Sequence, residues 1–282
     1  MTWNTTALDL EAYLVRIGAS EEEPSLVALS RLQTAHARTF PFENLDVLLA
    51  QHQGVSLAAV QEKFVQRRRG GYCFEHATLF HAVLDRLGYH VQPHLARVGD
   101  PDAAPRTHLD LVVELDGRRY LVDPGIGVPP LGPIELRDGG ELRGGLWPHR
   151  IRATQAEQPG GVAWELWRNR TGKWERMHVT DELPVRPVDV EMGHHWTSTA
   201  PASHFRRSLT VNQHGVASDG TPALTTITHE TVTVGRRGER PQARPYALDE
   251  LPDLLGRATV ALNIEETIRL TDRVRDLRRI SE

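Results

Sequence analysis

The chain has 282 residues, 39% hydrophobic and 25% charged, with a formal net charge of −4 at pH 7. That is the balance of an ordinary globular protein, long enough for one large domain or two to three small ones. The charge gives no support for a nucleic-acid partner, the single cysteine excludes an internal disulfide, and no run approaches the roughly 18 apolar residues of a membrane span. The opening MTWNTTALDLEAYLV lacks a basic segment followed by an apolar run, so a cytoplasmic protein without a signal peptide or membrane contact is expected.

In chain order, Leu8, Leu10, Tyr13 and Leu14 predict a short amphipathic helix stopped by Gly18. A second pattern, Leu26, Leu29 and Leu32, opens after Pro24, and the rhythm breaks at Pro41 in TFPFENLDVLL. Phe80, Val83, Leu84 and Leu87 follow the i, i+3, i+4, i+7 spacing of a helix with one buried stripe, beginning near Cys73 and ending at Gly88. From about residue 90 the pattern turns to strands: VQPHLARV, the loop GDPDAAPRT, then HLDLVVEL and RRYLVDPG around Asp116-Gly117, a strong hairpin signal. Short strands among Gly and Pro continue to about residue 190. VTVGRRGERPQARPYAL predicts a strand and then a loop, whereas PYALDELPDLLGRATVAL and NIEETIRLTDRVRDLRRI predict helices. The expected class is α+β, with a helical part at 1–90, a β-rich part at 91–195 and an α/β part at 196–282.

The sole cysteine lies in RGGYCFEH, residues 69–76. A lone cysteine is commonly a small buried hydrophobe. Here Gly70 and Gly71 suit a tight turn into a helix, and a thiol at a helix start meets free N–H groups that favour thiolate and can hold an oxyanion. Such a nucleophile needs a base, and 14 histidines are too many to choose by composition. The hairpin narrows the choice. A two-residue turn at Asp116-Gly117 pairs Leu115 with Arg118, Val113 with Tyr120 and Leu111 with Val122 on one face. The other face pairs Glu114 with Arg119, Val112 with Leu121, Asp110 with Asp123 and His108 with Gly125. Glu114 opposite Arg119 is a favourable charge pair that supports this register. His108 and Asp123 then lie diagonally on one face, roughly 7–8 Å apart at the backbone. An acid on one imidazole nitrogen would leave the other facing a nucleophile. Asp110 competes for the role of acid; Asp123, next to Pro124-Gly125 where pairing can end, is preferred. The alternative for His108 is a half-exposed strand histidine.

Arg67-Arg68-Arg69 reads as a solvated charge run, with Arg69 the exception: beside the glycines it is expected to pair with a buried acid such as Glu43 or Glu75. Cys73, His76 and His81 have a metal-like spacing, but on a helix residue 81 turns away from 73, so no metal site is expected. His194-His195-Trp196 is expected to pack or to edge a cleft.

RGGYCFE, THLDLVVELDGRRYLVD and FPFENLDVLL, in this chain, resemble the arylamine N-acetyltransferase family. The resemblance runs from LDLEAYLVRIG through TSTAPASHF to the final helices. It implies an N-terminal helical bundle, a central β-barrel and a C-terminal α/β lid, around a Cys-His-Asp core like that of papain-like and transglutaminase-like enzymes. It implies Cys73, His108 and Asp123 as the triad, Phe42, Ile126 and Phe205 as substrate-binding residues, acetyl-CoA as co-substrate with no bound cofactor, and a small aromatic amine or hydrazine as acceptor. No protein partner is implied. Two stretches depart from the family pattern. His76-Ala77-Thr78 stands where many members carry an asparagine two residues beyond the Glu. Asp123-Pro124-Gly125-Ile126-Gly127 stands where a form like DVGFG is usual, so Ile126 keeps the pocket apolar but removes an aromatic edge. Rival expectations are an amide synthase using a thioester-bound acyl chain, a papain-like or transglutaminase-like cysteine hydrolase, and a non-catalytic binding module with a relic triad.

Overall fold

The computed structural model describes residues 3–158, 160–170 and 172–281. Helix α1 (Leu10–Ile17) starts where the Asp9 carboxylate accepts the Ala12 N–H, and α2 (Leu26–Thr39) where the Ser25 hydroxyl accepts that of Ala28. The chain then forms β1 (Phe42–Glu43), α3 (Leu45–Leu48) and α4 (Leu57–Gln61), which runs on as a π-helical segment, Glu62–Gln66. Helix α5 (Cys73–Arg86) follows. Its periodicity predicts one buried stripe, yet every residue from Cys73 to Leu84 is buried. It is the central element of the helical part, covered by α1 and α2 on one side and by strands on the other; Tyr13, Leu29, Phe80 and Leu111 belong to the same apolar core.

An eight-stranded sheet comes next. Its strands are β2 (His90–Val98), β3 (Arg106–Leu115), β4 (Arg118–Val122), β5 (Ile134–Glu135), β6 (Glu141–Leu142), β7 (His149–Gln155), β8 (Val162–Arg170) and β9 (Lys173–Asp181). The spatial order is β5-β4-β3-β2-β9-β8-β7-β6, and the sheet curls into a nearly closed barrel. Gly139 and Gly140, in the short segment that links β5 to β6, bond Ile151 of β7 and tie that segment to the sheet. Val112, Leu121, Ile134, Ile151, Trp164 and Leu166 pack into one apolar cluster of this sheet. The opposite face of the β3–β4 hairpin, with Leu111, Val113 and Val122, packs into the helical core. Pro93 is tolerated in β2 because β9 pairs only with Ala96–Val98, leaving the Pro93 stretch with β3 as its neighbour.

The hairpin register is the expected one, Leu115↔Arg118 through Leu111↔Val122, and Glu114 lies opposite Arg119. Asp116 and Gly117 have φ of 51° and 70°, as a type I′ turn requires. The ladder stops at Leu111↔Val122. The expected Asp110–Asp123 and His108–Gly125 pairs therefore do not form. Freed from pairing, the strand ends separate, and Asp123 and His108 meet through their side chains.

Helices α6 (Pro187–Thr199) and α7 (His204–Arg207) lead to a second sheet, ordered β1-β10-β11-β12-β13. It contains β10 (Thr210–Val216), β11 (Pro222–Thr228), β12 (Thr231–Arg236) and β13 (Gln242–Pro245). The expected single strand in VTVGRRGERPQARPYAL is thus a hairpin. The expected helix from Pro245 is confined to α8 (Leu251–Arg257), after a 3-10 turn at Leu248–Glu250. The last helix is α9 (Ile264–Ser281). Leu45, Val211, Ile227, Leu251, Leu270 and Val274 form this region's core. Among the described residues no helix is long and apolar enough to cross a membrane.

Candidate active site

Cys73 is the first residue of α5, where the leading amides have no intrahelical acceptor. The two preceding glycines are required for room rather than for unusual backbone angles, since neither lies in the left-handed region. A Cβ on Gly70 would sit 1.8 Å from the Pro41 carbonyl oxygen, and one on Gly71 would sit 2.3 Å from Glu75 Oε2. The Glu75 carboxylate also accepts the Tyr72 N–H at 3.0 Å and so fixes the helix start. Gly125 is a second close approach: a Cβ there would lie 2.9 Å from Cys73 Cα. The Asp123-Pro124-Gly125 segment can therefore lie directly against the nucleophile's backbone.

A β-bulge delivers the base. The pairing of β2 with β3 shifts between Ala96↔His108 and Arg97↔Arg106, so Thr107 is the extra residue. Its carbonyl lies within 3.5 Å of the Cys73 thiol, a hydrogen-bond acceptor for it. His108, next along the strand, has its Nε2 2.8 Å from Asp123 Oδ2 and hydrogen-bonds Cys73 on its other side. Burial by itself would lower the His108 pKa; the charge and hydrogen bond of Asp123, joined by Cys73, raise it well above the ordinary imidazole value. Burial likewise opposes ionisation of Asp123, but His108 and then His178 hold its carboxyl well below the usual carboxylate range. Asp123 Oδ1 accepts the Gly125 N–H at 3.1 Å. Asp110, the competing acid, is fully buried and does not hold His108. Its pKa is raised to about 6 by burial, with His178 lowering it and Asp123 raising it.

No motif or spacing pointed to His178. It comes from β9, its Nε2 lies 3.1 Å from Asp123 Oδ2, and its ring is 5.0 Å from that of His108. Among the described residues, His108, Asp123 and His178 also form a group whose potential metal-ligand atoms all lie within 4.8 Å of one another, and all three are buried. The Cys73–His76–His81 set does not converge. His76 Nδ1 meets His36 Nε2 at 2.9 Å and its Nε2 lies 3.3 Å from the Pro41 carbonyl, while His81 packs on Trp3. A carbonyl only accepts, so His76 carries its proton on Nε2, His36 donates to His76, and the Tyr13 hydroxyl donates to His36 Nδ1 at 2.9 Å. Burial lowers the His76 pKa to about 4, so this chain of rings is neutral at pH 7.

Cys73 and His108 open onto a cavity of about 450 Å³ that Phe42, Ile126, Phe205 and Trp196 also line. The three expected substrate-binding residues are therefore brought together at the thiol. The Phe42 and Phe205 rings are 5.9 Å apart. Asn44 fixes that wall: its amide donates to the carbonyls of Phe205 and Ser208, both at 2.7 Å, and accepts the Thr210 N–H at 2.9 Å. Trp196 stands at the cavity edge, and His194 hydrogen-bonds the Tyr72 hydroxyl.

Beneath the RGG turn lies a cluster of buried charges. Arg69 bonds Glu43 and Asp46 at 2.9 and 3.1 Å; of its two expected partners it takes Glu43. Glu75 pairs instead with Lys63 at 2.8 Å and with His52 at 3.3 Å. Lys63 also reaches Asp46 at 3.2 Å.

A family model described as N-acetyltransferase matches residues 25–265. The arylamine N-acetyltransferase of Mycolicibacterium smegmatis is 37% identical over 215 residues, covering 73% of this chain and 76% of that protein. The chain belongs to the arylamine N-acetyltransferase family. The solved arylamine N-acetyltransferase of Mycobacterium abscessus superposes with a TM-score of 0.88 at 31% identity, covering 97% of each chain. That of Mycobacterium marinum in complex with CoA has a TM-score of 0.83 at 32% identity, covering 95% of this chain and 99% of the other. For an arylamine N-acetyltransferase the departures noted in the sequence fall in two settings. Ala77 is fully buried in the helical core, whereas Ile126 is partly exposed on the cavity wall.

Proposed function

We propose that the protein transfers an acetyl group from acetyl-CoA to a small aromatic amine or hydrazine, through an acetyl thioester on Cys73. The observation that carries this reading is one buried line, Cys73–His108–Asp123, at the wall of an apolar cavity. Family membership favours it over the amide-synthase, hydrolase and binding-module readings.

In the first half-reaction the Cys73 sulfur, its proton taken by His108, attacks the thioester carbonyl. The oxyanion is held by amides at the α5 start, and His108 returns the proton to the departing CoA sulfur. In the second, the amine nitrogen attacks the acetyl thioester, His108 takes the amine proton, and the C–S bond breaks to restore Cys73. Asp123 holds one imidazole nitrogen throughout, so that the other faces sulfur. Phe42 and Phe205 offer aromatic faces to a flat acceptor, and Ile126 and Trp196 complete the wall.

Intact mass after mixing with acetyl-CoA tests the reading. The expected result is one acetyl adduct, absent in Cys73→Ala and discharged by an arylamine such as an aminosalicylate. Folded protein with a reactive thiol and no adduct would overturn it.

A further inference from the structure

The carboxylate behind His108 has more partners than a triad needs. Asp123 Oδ2 lies 2.8 Å from His108 Nε2 and 3.1 Å from His178 Nε2, while Oδ1 takes the Gly125 N–H at 3.1 Å. His178 is fully buried. A bare imidazole lone pair at that distance from an ionised carboxylate oxygen would be repelled, so the favoured tautomer places the proton on Nε2, in ion-pair contact with Asp123. The remaining nitrogen, Nδ1, faces Asp110 Oδ2 at 3.7 Å, beyond hydrogen-bond reach.

The sheet explains how His178 arrives. In the order β3-β2-β9, Ala96 of β2 pairs with His108 on one side and with Thr180 on the other. His178, two residues before Thr180, points to the same face. Ala96 is the β2 residue that stands between His108 and Thr180, and its small side chain suits the approach of the imidazole to Asp123.

We infer that His178 is a positioning residue for the acyl transfer: its Nε2–H, together with the Gly125 N–H, fixes the Asp123 carboxylate so that His108 presents its free nitrogen to Cys73. This inference rests on the roles proposed above for Cys73, His108 and Asp123. Without His178, Oδ2 has one donor, the buried carboxylate is free to turn toward other hydrogen atoms, and the orientation of His108 loosens.

The test compares His178→Gln with His178→Asn. The glutamine amide reaches the place of Nε2 and can still donate to Asp123; the asparagine amide ends near the place of Nδ1, toward Asp110. Two rates are read: acetylation of Cys73 by acetyl-CoA, and alkylation of Cys73 by iodoacetamide, with folding followed by circular dichroism. In both rates His178→Asn is expected to fall about tenfold or more below His178→Gln, the loss typical of a hydrogen bond to a charged group. The KM for the amine is expected to be the same in both. Equal rates in the two variants, or a faster asparagine variant, would overturn the inference. Alkylation needs no acetyl-CoA, so failure of the acetyl-transfer reading shows as a missing adduct in the wild type while the alkylation comparison still stands. A neutron structure of the wild-type protein needs no variant: deuterium on His178 Nε2 is expected, and a bare Nε2 sinks the idea.

Discussion

Two buried polar clusters flank α5, and they are built differently. Beneath the RGG turn, Lys63 and Arg69 are matched by Glu43, Asp46 and Glu75 at 2.8–3.2 Å. Opposite charges are interleaved there, and the cluster ties β1, α3 and the segment after α4 to the start of α5. At the barrel end, Asp110, Asp123, His108 and His178 bring two carboxylates and two imidazoles together with no arginine or lysine. Desolvation acts on both. In the first cluster fixed opposite charges overcome it, and Glu75 is held well below the usual carboxylate range despite its burial, by Lys63 and His52. In the second only histidines answer the carboxylates, so protons can move. A buried cluster of permanent charges specifies the fold; one whose charges depend on protons can do chemistry.

Substitutions separate the two. The largest expected effect is on the thiol. Cys73→Ala should lower acetyl transfer on the order of 10⁴-fold or more, with the unfolding midpoint in urea unchanged. Asp123→Asn should slow acylation by about 10³–10⁴-fold, because an amide offers His108 the wrong tautomer. His108 would then lose the charge that raises its pKa while its burial remains, so its proton should come off far below the wild-type value. A histidine C–H titration by NMR reads this shift. In the wild type the His108–Asp123 pair stabilises the fold at pH below about 6.5, and that contribution is lost as pH rises through the raised value.

The charge cluster should answer in the opposite currency. Arg69→Ala leaves Glu43 and Asp46 buried without their guanidinium and should destabilise the protein by about 3–5 kcal/mol, read from urea unfolding, with activity falling in step with the folded fraction. Acid gives a smaller and reversible form of the same loss. Glu75 has a depressed pKa, so its contribution is full above the unfolded value of about 4.3 and fades as pH drops toward the folded one. Melting temperature should therefore fall below about pH 4 in the wild type and fall less in Glu75→Gln. The smallest effect is expected at the cavity wall. Ile126→Phe adds an aromatic edge near Phe42 and Phe205 and should lower the KM for an arylamine about two- to tenfold, with little change in the acetylation rate.

Much of this was legible beforehand. The hairpin register followed from one Asp-Gly pair and the alternation on either side, because a two-residue turn leaves a single in-phase pairing. That register put His108 and Asp123 on one face. Helices α1 and α2 showed their apolar spacing, and α1 its stop at Gly18. The central position of α5 was less visible, because the polar residues among its buried ones, Glu75, His76, Thr78 and His81, interrupt any apolar pattern.

The sequence by itself determined what is local: helix spacing, the turn, the motif around Cys73, and the alternation that aligns base and acid. The tertiary structure decided what depends on neighbours far along the chain. Gly70 and Gly71 are needed because Pro41 and Glu75 crowd them, not because of their own torsion angles. Arg69 takes Glu43 rather than Glu75 because Lys63 already neutralises Glu75. Strand β1 joins β10, far along the chain, where Phe42 pairs with Asn212, so the aromatic wall of the cavity closes only when the second sheet forms. His178 reaches Asp123 because β9 lies beside β2. Periodicity is written into consecutive residues; the order of strands in a sheet is not, and that order sets which distant side chains share a buried space.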